Sequence, residues 1–330
     1  MNSPFGPWFS GRGPVTVPHM RFLPKRRAAR LLIIVGLCAA AFAIPNSANA
    51  APREVLTRHD HKTLWNQNPN GQPSNEAGSG KNRTNGISYH GGPVILGTTN
   101  VYVIWYGTWP GASTTPAILT NLLSTIGGSP YFNINTTYYN GANTHVSNAV
   151  SYRGSATDSY SQGTALTDAG VKNVVATAIS TNALPMDTNA VYFVLTSADV
   201  SETSGFLSQY CGWHDHGAIN GQDVKFSFVG DASANLSACA AQTAKSPNGN
   251  PAADAMASVV AHELEEATTD PDLNAWYDGR GYENADKCAW TFGTTYTANG
   301  AKANMKLGGK DYLIQRNWVN ASGGYCAVKY

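Results

Sequence analysis

The chain has 330 residues, 42% of them hydrophobic, which is enough to bury a core and excludes disorder throughout. Charged residues make up only 13%, against roughly 25% in an average soluble domain, and the formal charge of +1 offers no basic excess for phosphates, so no nucleic-acid partner is expected. That total hides an asymmetry: Arg12, Arg21, Lys25, Arg26, Arg27 and Arg30 lie in the first 50 residues, which hold no Asp or Glu, and residues 51–330 carry 16 basic against 21 acidic groups, a formal −5.

Residues 21–30 are basic, residues 31–44 form an apolar run, and Pro45 and the small residues Ala48-Asn49-Ala50 follow. This is the order of a secretory signal peptide over residues 1–50, with Met20 as an alternative start. Fourteen apolar residues are short of the roughly 20 that span a bilayer. The mature chain is therefore expected outside the cell, in a cell wall or in a periplasm, with no membrane attachment after cleavage. Cleavage removes Cys38 and leaves Cys211, Cys239, Cys288 and Cys326. An even number of cysteines in an exported chain favours two disulfides, with three pairings possible. Sequence neighbours suggest Cys211 with Cys239 and Cys288 with Cys326.

Residues 51–88 are rich in Asn, Gly, Ser and Pro, lack apolar periodicity and read as a flexible lead-in, His59-Asp60-His61 included. Residues 89–330 read as one domain. The β-branched and aromatic run at 94–106 predicts a strand, and 115–126 has helical spacing. Strands are expected at 131–139 and 146–152, then a helix at 162–180 with Val171, Val174, Val175 and Ile179 on one side. Further strands are expected at 190–195, near Trp213 and at 224–229. Asn250 and Pro251 suit the N-cap and first position of a helix running to about residue 268, before Asp270-Pro271. Residues 276–330 are rich in Gly and aromatics with little helix. The expected fold is a single α+β domain of zincin-like type, with a mixed sheet, a long motif-bearing helix and an irregular C-terminal region held by disulfides.

Chemistry concentrates on that helix. The chain has seven Glu, and Glu263, Glu265 and Glu266 directly follow His262; by chance an H-E-x-x-E match is expected only about 0.004 times. Residues four apart stand one turn above another, so His262 and Glu266 can grip one ion. This resembles the metalloprotease helix H-E-x-x-H, whose first and last residues hold zinc and whose Glu is the general base, here Glu263. Glu266 in place of the second His adds negative charge and hardness, which brings calcium and manganese into consideration beside zinc. His214 and His216 are two apart and share a face if extended. Glu283 and Asp286 lie downstream, and Asp272 stands ten residues after His262 without the tight Gly turn that a ligand there requires in a related zinc-protease class. The expected ligands are His262, Glu266, Glu283 and His214, with Glu263 catalytic and no other cofactor. The expected substrate is a peptide or a cell-wall polymer.

Residues 89–93 (Tyr-His-Gly-Gly-Pro), 101–107, 193–200, 211–214, 256–278 and 317–326 together resemble the phosphate-induced, or EXORDIUM-like, protein family over residues 89–330. The resemblance implies a secreted, cell-wall or apoplast-associated protein linked in plants to growth and cell expansion. It implies no particular reaction, so the metal site rests on the residues themselves.

Overall fold

The computed structural model describes residues 86–330; the segment expected to direct export, nearly all of the expected lead-in, Cys38 and His59-Asp60-His61 lie outside them. The elements in chain order are β1 (Ser88–Tyr89), β2 (Thr99–Tyr106), α1 (Thr115–Thr125), β3 (Val150–Asp158), β4 (Ala165–Leu166), α2 (Asp168–Ser180), β5 (Ala190–Thr196), β6 (Ser201–Glu202), β7 (Gly212–Ile219), β8 (Gln222–Gly230), α3 (Leu236–Cys239), α4 (Pro251–Thr269) and β9 (Trp276–Tyr277). Six strands of three residues each follow, paired as three small hairpins between Tyr296 and Ala327.

One five-stranded sheet organises the domain, in the order β3-β2-β5-β8-β7. Its first four strands are parallel, and β7 pairs antiparallel to β8 at the edge. Parallel strands need both faces covered, and their sequences accordingly read as continuous apolar runs: every residue of β5 is buried. Side chains alternate across the sheet. Val101, Val103, Trp105, Phe193 and Leu195 pack with α1 and α4 on one face. Tyr102, Ile104, Tyr106, Tyr192 and Val194 pack with α2 on the other. The sheet is mixed, as expected. With helices alternating along the chain and lying on both faces, however, the layering is α/β rather than α+β.

Local chemistry accounts for the remaining differences. Residues 132–137 form a 3-10 helix instead of a strand. Ser129 Oγ accepts from the Phe132 N–H, and the Thr136 and Thr137 hydroxyls donate back to carbonyls three residues earlier, which diverts this backbone from a sheet ladder. The expected helix at 162–180 begins only at Asp168, where the Thr167 side chain caps it. α4 starts where the sequence places it, with the Asn250 side chain accepting from Ala253 N–H and Pro251 at the first position. It is buried along both its apolar and its acidic faces. Two disulfides are formed, Cys211–Cys239 and Cys288–Cys326. No helix among the described residues is long and apolar enough to cross a membrane.

Candidate metal centre

Three pieces of chain meet beside α4. The helix brings His262, Glu263 and Glu266 to its sheet-facing side. β7 brings His214, because strand alternation sends Trp213 into the apolar layer against α2 and the next side chain to the face bearing α4. Gly212 lets the two elements approach: a Cβ there would stand 2.5 Å from Val259 Cγ1 and 2.9 Å from the Phe228 carbonyl oxygen. The third piece is the segment after β9. There Asp278 accepts from the N–H groups of Arg280 and Tyr282 and from Lys287 Nζ, folding the chain back so that Glu283 and Asp286 face the helix.

His262 Nε2 lies 3.0 Å from Glu266 Oε1 and 3.5 Å from Asp286 Oδ1. His214 Nδ1 lies 3.4 Å from Glu263 Oε2 and 3.7 Å from Glu266 Oε2, while its Nε2 lies 3.7 Å from Glu283 Oε1. The Asp286 N–H donates to Glu266 Oε1 at 3.0 Å, fixing the loop to the helix. All six side chains are buried, none more than 4% exposed. Two sets of metal-ligand type result, His214–Glu263–Glu266 and His262–Glu266–Asp286, sharing Glu266.

Burial and crowding set the protonation of these groups. Glu283 is raised well above the usual carboxylate range by burial, then by repulsion from Glu266, Asp270, Asp286 and Glu263. Glu266 is raised by burial and by Asp286. For His262, burial opposes the charged form, but Glu266 and Asp286 overcome it and hold the imidazole well above its ordinary value. His214 shows the same contest, won by Glu263 and Glu266. Burial and repulsion thus favour protons on Glu266 and Glu283, and the carboxylates favour them on both imidazoles. A divalent ion is the other way to compensate the carboxylates.

The four expected ligands all lie in this cluster, with Glu266 touching both histidines and Glu283 touching His214. Asp286, passed over in favour of Glu283, is the loop carboxylate beside His262. Spacing alone could not rank the two: a 3-10 turn at Asp286–Cys288 aims the second one, and that turn has no sequence periodicity. Glu265 leaves the cluster; Asn317 Nδ2 donates to its carboxyl, which burial raises well above the usual range. His216 and Asp272 fall in a separate, half-buried group with Asp223 and Lys225, where His216 Nδ1 is 2.8 Å from Asp223 and Lys225 Nζ is 2.6 Å from Asp223 and 3.3 Å from Asp272. Lys225 and Asp223 carried no signal in the sequence. A small cleft lined by Asp254, Ser258, Trp290 and Gln315 opens on α4, and none of the six cluster residues lines it.

The phosphate-induced protein 1 conserved region matches residues 87–311, a span that includes the whole cluster. The chain is 31% identical over 280 residues to Protein EXORDIUM-like 3 of Arabidopsis thaliana, covering 73% of this chain and 82% of that protein. It is 30% identical over 272 residues to Protein EXORDIUM-like 5 of the same plant, covering 70% and 75%. No solved structure matches. On the conserved region and on these relatives together, the chain belongs to the phosphate-induced protein 1, or EXORDIUM-like, family.

Proposed function

We propose that the protein is an exported, metal-dependent hydrolase of zincin-like type acting on peptide bonds, with a divalent cation held where α4, β7 and the 283–288 segment meet. The supporting observation is that His262 and Glu266, one helical turn apart, face His214 from the edge strand and Asp286 from the loop. Two imidazoles favour zinc, and the carboxylates keep calcium and manganese as competitors. A bound cation supplies Lewis-acid polarisation and lowers the pKa of water. With one ion held by His262, Glu266 and Asp286, Glu263 is the carboxylate beside it that accepts the proton, steadied by His214 at 3.4 Å. Export is supported by the order of basic, apolar and small residues at the N-terminus. The two disulfides fit an oxidising compartment.

A second reading, a non-catalytic extracellular or wall-associated factor tied to growth or carbohydrate binding, is favoured by one observation. The side chains of the cluster are at most 4% exposed, and structural metal sites are the closed ones. Elemental analysis of the purified protein and its Glu263→Gln variant, with both assayed in a broad peptidase screen, separates the two. Metal in both proteins, with wild-type turnover falling about 10²–10⁴-fold in the variant, supports the hydrolase. Bound metal without metal-dependent turnover assigns the ion a structural role, and absence of metal overturns the hydrolase and leaves the non-catalytic factor, whose cluster is structural or empty.

A further inference from the structure

We infer that the cluster is built for two cations bridged by Glu266, with His214 and Glu263 completing one site and His262 and Asp286 the other. The inference rests on the reading that a cation binds here, and it changes the number of ions and the role of Glu263. Its basis is atomic. The two oxygens of Glu266 face different partners: Oε1 lies 3.0 Å from His262 Nε2, and Oε2 lies 3.7 Å from His214 Nδ1. A carboxylate divided in this way is a bridging ligand, as in two-metal sites, where the ions sit roughly 3.5–4 Å apart.

His214 supplies an independent sign. Its Nε2 is buried without a hydrogen-bond partner and points toward Glu283 Oε1 at 3.7 Å. At 3.7 Å this is an ion-pair distance and not a hydrogen bond, but it sets a carboxylate beyond the far nitrogen of an imidazole whose Nδ1 faces Glu263 and Glu266, the order of a carboxylate–histidine–metal arrangement. Glu283 thereby becomes a positioning residue, which explains why it touches His214 while the two ligand sets lack it. Charge points the same way. Glu263, Glu266, Glu283 and Asp286 carry a formal −4 when ionised, and histidines must be neutral to bind metal. One divalent ion leaves half of that charge buried, and two offset it. Glu263 is then a ligand first, so its loss removes an ion as well as turnover.

The test is to strip the purified protein with EDTA, reload it with Mn²⁺, count bound ions per chain and record the electron paramagnetic resonance spectrum. Two ions per chain with an exchange-coupled spectrum are expected. Glu263→Gln should bind one uncoupled ion, whereas Glu283→Gln should keep two with affinity reduced about 10–100-fold. One ion per chain in the wild type overturns the inference and leaves the single-ion reading standing. No bound ion overturns both. Two ions that do not couple also overturn it, because the second then sits elsewhere, the His216, Asp223 and Asp272 group being the nearest alternative.

Discussion

Glu265 and Glu266 are neighbours on α4 but turn about 100° apart around its axis, and burial, which raises the pKa of both, sets them among different neighbours. Glu265 meets amides: Asn317 donates to its carboxyl and Asn284 to its backbone oxygen. Burial raises its pKa well above the usual range and so favours the neutral form; Glu265→Gln, neutral and of equal size, should cost under about 1 kcal/mol in denaturant unfolding. Glu266→Gln should retain fold and volume yet abolish high-affinity cation binding, because an amide cannot supply the charge or the second ligating oxygen. Proton linkage adds a further prediction. His214, His262, Glu265, Glu266 and Glu283 all have folded values above their ordinary ones. Their contribution to stability is complete below the ordinary glutamate value of 4.5 and is lost as pH rises through the raised values, which for His262 lie well above 6.5. Cations displace the same protons, so their stabilisation grows with pH. The Tm gap between metal-loaded and EDTA-treated protein should therefore widen from about pH 5 to about pH 8, and a narrowing gap would count against the site.

At the scale of elements, the centre depends on how closely β7 lies against α4. Gly212→Ala places a methyl 2.5 Å from Val259 Cγ1 and 2.9 Å from the Phe228 carbonyl. The backbone contact cannot give way as a flexible side chain would, so the strand must move. The expected cost is about 1–3 kcal/mol, and cation affinity should fall with it because His214 is two residues along the same strand. Asn250→Ala removes the cap at the far end of α4, at about 1 kcal/mol, and should leave cation affinity unchanged. A variant pair in which both lose affinity equally would show that general loosening, and not strand placement, governs the site. The same elements show what the sequence revealed. α4 was legible because its start is marked twice, by Asn250 and Pro251, and its motif needs only the i, i+4 relation. The 3-10 helix at Phe132–Thr137 was not, since Phe132 and Ile134 alternate with Asn133 and Asn135 as in a strand and only side-chain hydrogen bonds to nearby backbone decide otherwise. The α/β layering was hidden for a related reason: which face a helix covers is settled by crossover connections, not by its own periodicity.

At the scale of the molecule, both disulfides are attached to segments that carry proposed ligands. Cys211 stands three residues before His214, and Cys288 two residues after Asp286. The closed loops are similar, with sequence separations of 28 and 38, so chain entropy alone assigns each a comparable effect of about 3–4 kcal/mol. Their consequences for the centre should differ. Without Cys211–Cys239, His214 remains fixed by the eight-residue ladder of β7 with β8. Without Cys288–Cys326, Asp286 sits on a single 3-10 turn tied down by its N–H to Glu266, the Lys287–Asp278 pair and the Trp318 N–H to Asn284, contacts that are not the continuous ladder His214 has. Replacing Cys288 and Cys326 together by Ser should therefore weaken cation binding at least tenfold more than the same change at Cys211 and Cys239, at similar loss of Tm. Competition titrations with a chelator on the two double variants measure this directly. Equal weakening, or a larger effect at Cys211 and Cys239, would mean that β7 and not the loop is the compliant side of the centre.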